Sequence, residues 1–543
     1  MKKQNFLQGA LILVAASLIV KVFGAIFKIP LTNIIGVTSM AYFNSAYGFY
    51  VVFYMISTAG IPVAISKMIS AADAQNNQKE VAKIFKVSYV LFFTLGIIGS
   101  LIMIVFSTRY AGYVKLDGLE FSIMAISPTL FFMCITSAYR GYFQGMKNMT
   151  PTAISQIIGA MGKLFIGLLV AILSVKLGAS YYMVAAYTIL GITVGSIGST
   201  VFLSIFKKIQ NKHYEVNNNE SFNVSSSKSI LKTLIDIAIP ITLSATILSL
   251  TNTIDTTLMV RRLNACGIDI ASGTKIMGAY TSMSVPLFNL SPNLIYPFAI
   301  SVIPTITALF VNNKTSDAKK IISSTFRIAS IIAIPCSIGL SAFSNPIVTM
   351  LYNSKEAVDK GKSVAVTNVA SDMLSILSIA IFFVAMVSVT NGILQSYGLE
   401  KLTIISTVIG IIFKILLNYV LIGNEKISFY GAPIATLVCY LIITVINFVF
   451  LIKKCDYMPN IKQIILKPLL CSAVSVGVAC FTYKILYPLS GNSISTLTSI
   501  ILAVIIYLIT ILLVKAPEKE DILMLPKGDK IAKILNKIKL LSL

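Results

Sequence analysis

Histidine is all but missing from this chain: His213, in a polar stretch, is the only one in 543 residues. Without histidines to work with, a His-based general base and a His-containing zinc site both fall away. The seven cysteines, at positions 134, 266, 336, 439, 455, 471 and 480, are odd in number and form no CxxC pair or Cys/His cluster, so neither a disulfide framework nor a metal centre is expected. No GxxxxGK followed by Ser or Thr occurs, so an ATP-driven role would need another chain. No cofactor is expected. Acidic residues are few, 20 against 44 Lys and Arg. A membrane enzyme would want paired carboxylates in a catalytic setting, whereas Glu356 and Asp359 of "NSKEAVDKGK" stand among lysines, and an enzyme is not expected.

What the chain has is apolar sequence. Hydrophobic residues make up 56% and charged residues 12%, and the mean hydropathy is +0.86. Fourteen mostly apolar runs are each long enough to cross a hydrocarbon core about 30 Å thick. They lie near 6–29, 42–66, 86–107, 119–139, 153–175, 181–206, 231–255, 276–311, 321–343, 368–391, 402–422, 430–452, 464–486 and 495–514. The fold class is therefore an all-α polytopic membrane protein. Its first helix is too long for a removable signal peptide, and no small-residue cleavage site follows it.

The net charge of +24 raises nucleic acid as a partner, but the charge distribution argues against it. With the N-terminus in the cytoplasm, 29 of the 44 Lys and Arg fall on the cytoplasmic side, 11 on the outer side and four within spans. That asymmetry is the positive-inside pattern, which places both termini and the 207–229 segment in the cytoplasm and favours contact with membrane lipids. The tail 527–543 has one apolar face and lysines elsewhere, as in a helix lying on the membrane surface.

The longest polar connection, 207–229, separates two sets of six spans. Writing "RGYFQGMKNMTPTAISQIIGAMGK" (140–163) over "NGILQSYGLEKLTIISTVIGIIFK" (391–414) matches eight of 24 positions without a gap. Among them are Gln144 with Gln395 and Lys163 with Lys414, pairs that shared membrane composition does not explain. The pattern predicts two six-helix lobes related by a pseudo-two-fold axis along the membrane normal. The expected organisation is an N-lobe (1–206), a linker (207–229), a C-lobe (230–455), two further helices (456–515) and the tail (516–543).

Charges within the spans direct attention to function. Lys21 and Lys28 are two helical turns apart in the first span, and a Lys at the bilayer centre costs about 2.5 to 3.5 kcal/mol. Snorkelling would serve for Lys28 near the helix end, but not for Lys21. Lys163 and Lys414 lie in the fifth and eleventh spans, where helix C-termini or an interface offer an alternative role. Asp255, closing the polar run "SLTNTID" with Asn252, is the clearest intramembrane acid, and core hydrogen bonding is the other reading of that run. One acid does not balance four lysines, so an anionic ligand fits. A looser alignment sets Lys28 opposite Asp255, suggesting a gating or ion-coupling pair. The eighth span carries Pro286, Pro292, Pro297 and Pro304, predicting a kinked or broken helix with Asn289 and Asn293 toward a cavity. Gly191 and Gly195 predict close helix packing.

"KVFGAIFKIPLTNIIG" (21–36), "AYFNSAYGFYVV", "AGIPVAISKMIS" (59–70) and "RGYFQGMKNMTPTAISQI" (140–157) resemble the stage V sporulation protein B group. That group includes counterparts of the lipid II flippase MurJ, within the superfamily of multidrug, oligosaccharidyl-lipid and polysaccharide exporters. The resemblance implies 12 core helices plus two, in the plasma membrane of a bacterium, and alternating-access export of an undecaprenyl-pyrophosphate-linked saccharide, with lipid II foremost. Peptidoglycan synthases would be the partners, and sporulation or vegetative wall synthesis the setting. It also implies a basic residue before "VxG" in the first helix, which Lys21 matches. The arginines of MurJ proteins in the second and eighth helices fall here near Met55 and Val285. The substrate-binding candidates are thus Lys21, Lys28, Lys163, Lys414, Asn289 and Asn293. Asp255 and Asn252 are the candidates for gating or ion coupling. The alternatives are a flippase for another polysaccharide unit and a cation-coupled multidrug exporter of the same fold.

Overall fold

The computed structural model describes residues 6–211, 225–312, 314–354, 356–359, 363–518 and 521. All fourteen apolar intervals fall on helical segments. In chain order these are α1 (Phe6–Thr58), α2 (Ile61–Ala74), α3 (Gln78–Val114), α4 (Leu119–Gly145) and α5 (Thr150–Met161), which passes through a π turn into α6 (Gly167–Lys176). Next come α7 (Tyr181–Asn211), α8 (Ser227–Ala265), α9 (Ile270–Ala279), a second π turn, α10 (Val285–Val311), α11 (Thr315–Ala342) and α12 (Ser344–Leu351). A short antiparallel hairpin, β1 (Ala357–Asp359) and β2 (Ser363–Ala365), leads into α13 (Val366–Ser396), α14 (Glu400–Ile422), α15 (Gly431–Cys455) and α16 (Lys467–Leu513).

Ten stretches among the described residues are long and apolar enough to cross a membrane. Two of them, Ala15–Ala74 and Lys462–Leu513, are 60 and 52 residues long, well beyond the roughly 20 that one crossing needs. Each is bent by a glycine at positive φ, Gly36 (φ 75°) and Gly491 (φ 72°), a conformation only glycine adopts at little cost.

Burial runs opposite to that of a water-soluble helix. In α14 the buried face carries Thr403, Ser406, Thr407, Lys414 and Asn418, while Ile412, Phe413, Leu416, Tyr419 and Val420 are exposed. Apolar side chains outward and polar ones inward suit a lipid surround, in which every buried polar group needs a protein partner.

The prolines of the eighth span do not break it. α10 runs on through Pro286, Pro292, Pro297 and Pro304, and the irregularity comes just before them, in the π turn Tyr280–Ser284. Pro286 follows that π turn directly, so its missing N–H falls where the continuous helix changes hydrogen-bond register.

The chain divides into two compact units at Arg261/Arg262, with Gly273–Gly278 belonging to the first. Most of α8 therefore packs in the first unit: Gly60 N–H donates to Thr242, Thr253 Oγ1 to the Gly48 carbonyl, and Tyr110 and Thr257 share a hydrogen bond. The compact units thus part the chain further along than the 207–229 boundary of the repeat.

Inside each unit the same contacts recur. Continuing the ungapped register backward sets Phe131-Phe132 over Phe382-Phe383, and each aromatic pair is T-shaped, at 5.2 and 5.4 Å. Thr200 of α7 donates to the Phe132 carbonyl of α4 at 3.0 Å; Thr444 of α15 donates to the Phe383 carbonyl of α13 at 3.2 Å. Ser155 and Ser406 each donate to the carbonyl three residues back.

Candidate functional site

A cavity of about 290 Å³ opens within the first unit, between α1, α4, α5 with its π turn, and α7. Two cations line it, Arg140 from α4 and Lys163 from the π turn Gly162–Ile166. Tyr47, Tyr50 and Tyr54 line it from α1, spaced by three and four residues so that they share one helical face. Gln156, Thr129, Ser196 and Ser199 add polar groups, and Val20, Phe23 and Gly24 close an apolar side.

Both cations are held by neutral groups. Arg140 donates its Nε–H to Ser155 Oγ at 3.0 Å, and Ser155 in turn donates to the Thr152 carbonyl. The Lys163 ammonium lies 5.0 Å from the Phe27 ring centre and 5.1 Å from that of Tyr47. Such cation–π contacts contribute about 0.5 to 2 kcal/mol and supply no hydrogen-bond acceptor. The ion pairs seen among the described residues, Lys319–Asp456 and Arg327 with Glu518 and Asp521, involve neither of them.

Around this π turn, α5 and α6 approach α7 to backbone contact. A Cβ on Gly191 would lie 2.5 Å from the Gly167 backbone, and one on Gly195 would lie 2.5 Å from the Gly159 carbonyl. Gly162 and Gly195 are in similar contact. The expected packing role of Gly191 and Gly195 is what the structure shows. A π turn widens the helix locally and is often found where a side chain is aimed at a site; here it carries Lys163.

The sequence candidates are not all brought together. Lys163 lines the cavity. Lys28 is half-buried on α1, next to the Phe27 that touches Lys163, and its carbonyl accepts the Thr32 hydroxyl. Lys21 is exposed and is not among the cavity-lining residues. Asp255, on α8, is buried, at 4% exposure, and has interaction partners. In the second unit Lys414 is buried and engaged, whereas Asn289 is exposed. The side chains of Asn252 and Asn293 lie outside the described residues, as does the 527–543 tail. Arg140, Gln156 and the three tyrosines are absent from the sequence candidates. The fourth apolar run stops at 139, one residue short of Arg140, whereas α4 continues to Gly145. Its signal was in the repeat, where Asn391 stands opposite the arginine.

Chemically, two cations, several hydroxyls and an amide with no carboxylate among them can hold an anion. They offer no nucleophile–base pair and no metal-ligand set.

Comparisons with known proteins agree with this architecture. Residues 6–310 match the family described as "Polysaccharide biosynthesis protein", and residues 240–420 match MatE. The lipid II flippase MurJ of Bacillus subtilis (strain 168) is 25% identical over 489 residues, covering 87% of this chain and 88% of the relative. Stage V sporulation protein B of the same organism is 22% identical over 464 residues, covering 85% and 86%. Among solved structures, lipid II flippase MurJ in an inward closed conformation superposes with a TM-score of 0.65 at 16% identity, over 92% of this chain and 98% of that one. The match over residues 6–310 spans more than half of the sequence, and this polytopic helical membrane protein belongs to the polysaccharide biosynthesis protein family.

Proposed function

We propose that the protein is a flippase that exports an undecaprenyl-pyrophosphate-linked saccharide, most specifically the peptidoglycan precursor lipid II, across the bacterial plasma membrane by alternating access. The observation that carries this reading is the set of intramembrane cations, Lys28, Arg140 and Lys163, with no carboxylate paired to any of them among the described residues. Buried cations without counter-charges are costly, and an anionic ligand removes that cost. The likeness to a relative named lipid II flippase supports the cargo class. An inside-negative potential favours outward movement of each negative charge by about 2.3 kcal/mol per 100 mV.

In this proposal fourteen spans form two lobes with both termini cytoplasmic, Lys21 and Lys28 receive the pyrophosphate on its route, and Lys163 and Lys414 act at related places in the two lobes. Asn289 and Asn293 would meet the saccharide, Asn252 and Asp255 would serve gating, and peptidoglycan synthases would take up the exported unit. A multidrug exporter of the same fold is the second reading, favoured by the MatE match at 240–420. It calls for embedded acids facing an organic cation, which suits this cation-lined cavity poorly.

Expression in a bacterium depleted of its own lipid II flippase tests the proposal. Restored growth, lost in Lys21→Ala at normal protein level and partly kept in Lys21→Arg, is the expected result. Failure to restore growth at normal membrane abundance would count against lipid II as cargo.

A further inference from the structure

We propose that the cavity of the first unit is a phosphoryl-binding site, in which Arg140 and Lys163 hold a diphosphate or monophosphate group, and that the repeated framework of the second unit carries no second copy of it. This deepens the export proposal and rests on it for the nature of the lipid carrier, though the anion site itself stands on geometry.

Three observations converge. The first is unused donor capacity. Arg140 gives one N–H to Ser155, and among the described residues its terminal nitrogens meet no acceptor. The Lys163 ammonium lies over the Phe27 and Tyr47 rings, and among the described residues it forms no ion pair. A planar guanidinium fixed through Nε, with both NH2 groups free, is suited to two phosphate oxygens, and an ammonium beside it to a third. The hydroxyls of Ser199 and Ser155 are turned to backbone carbonyls, which leaves the cations as the strong donors.

The second is size. At about 290 Å³ the cavity lies at the lower end of the roughly 300 to 1,000 Å³ that small-molecule sites span. A phosphate or diphosphate fits it. A saccharide bearing a peptide exceeds that volume, so in this proposal such a cargo presents its phosphoryl group here and extends its sugar through the open side.

The third comes from comparing the two copies. Gly159 lies beside the Gly195 carbonyl and Ser199 in the first unit; Gly410 lies beside the Cys439 carbonyl and Ile443 in the second. Thr200 bonds the Ser196 carbonyl as Thr444 bonds the Tyr440 carbonyl. Ser196 and Ser199 of the cavity wall thus correspond to Tyr440 and Ile443. Arg140 corresponds to Asn391, whose Oδ1 accepts from Asn447 at 2.9 Å. Bulkier side chains stand where the serines leave room, and an internally bonded amide replaces the free guanidinium. Lys414, the counterpart of Lys163, is 2% exposed.

The test uses the full chain, purified in detergent, with inorganic diphosphate, chloride and farnesyl diphosphate as probes in calorimetric titration and thermal shift. The expected result is one diphosphate bound per chain, with affinity weakened about tenfold or more in Arg140→Gln and in Lys163→Gln. Ser199→Ile, which copies the second unit into the first while keeping both cations, is expected to lose binding and stay folded. Lys426→Gln, on an exposed turn, should bind as wild type. Farnesyl diphosphate displacing diphosphate at lower concentration assigns the site to a lipid headgroup; displacement only at higher concentration assigns it to the free ion. Chloride binding as well as diphosphate, or diphosphate affinity unchanged in both cation variants, would overturn the assignment. Absent diphosphate binding with intact vesicle flipping removes the site and leaves export standing; binding that the variants abolish, in a chain that flips nothing, does the reverse.

Discussion

Ser199 and Ile443 occupy the same place in two copies of one packing arrangement: each lies against a helical glycine, Gly159 in the first unit and Gly410 in the second. A Cβ on Gly159 would meet the Ser199 hydroxyl at 3.1 Å, a group that can rotate away. A Cβ on Gly410 would run into the Ile443 side chain and come within 3.2 Å of the Cys439 carbonyl.

The consequence is an asymmetry between matched substitutions. Gly159→Ala should leave stability within about 1 kcal/mol of wild type, because the gain in helix propensity offsets a small adjustment. Gly410→Ala should destabilise by about 1 to 3 kcal/mol through overpacking. Thermal unfolding of both variants in detergent checks this, and equal losses would show that the two contacts are not different in kind.

Arg327 anchors the end of the described chain to α11. Its Nε and NH2 each donate to Asp521, both at 2.9 Å, and NH2 also reaches Glu518 at 2.8 Å. Arg327 and Asp521 are buried, whereas the Glu518 side chain is 33% exposed. Asp521→Asn, which weakens two charge-assisted hydrogen bonds to a buried guanidinium but leaves Glu518 beside it, should cost about 1.5 to 3 kcal/mol. Glu518→Gln should cost about 1 kcal/mol or less. The reverse ranking in thermal unfolding would show that the clasp is held by Glu518.

Asp269 precedes α9 and accepts the Ser272 backbone N–H at 2.9 Å. That bond, with the Ser272 hydroxyl, holds its carboxyl below the usual carboxylate range. A folded-state pKa that is depressed adds stability above the unfolded value of about 3.9, and the addition is lost as pH falls through the folded value. Asp269→Ala should therefore cost about 1 kcal/mol at neutral pH, a typical value for a helix cap. The gap between variant and wild type should close on acidification below about pH 4. A gap that persists or widens in acid would remove the carboxylate from the explanation.

Hydropathy located the helices because lipid requires long apolar runs with internally satisfied backbones, and α14 shows the result with its polar face inward. Lys163 was legible as a charge where hydrocarbon is expected. Arg140 was not: one residue beyond an apolar run, it looked like a positive-inside charge, and only the true end of α4 brings it to the cavity. The π turn at Lys163 lies among close glycine contacts of α5 and α6 with α7, tertiary features that one-dimensional periodicity does not carry. Likewise, the four prolines of α10 marked an irregular region, and the structure has its π turn just before the first of them while the helix continues through all four.

The most direct test of lipid II export is transport by the purified chain. Protein reconstituted into vesicles containing lipid II labelled on one leaflet should move the label to the other leaflet faster than protein-free vesicles do. Arg140→Gln and Lys163→Gln should slow that movement about tenfold or more. Transfer at the protein-free rate, by protein shown to be folded and inserted in the vesicles, would contradict lipid II export.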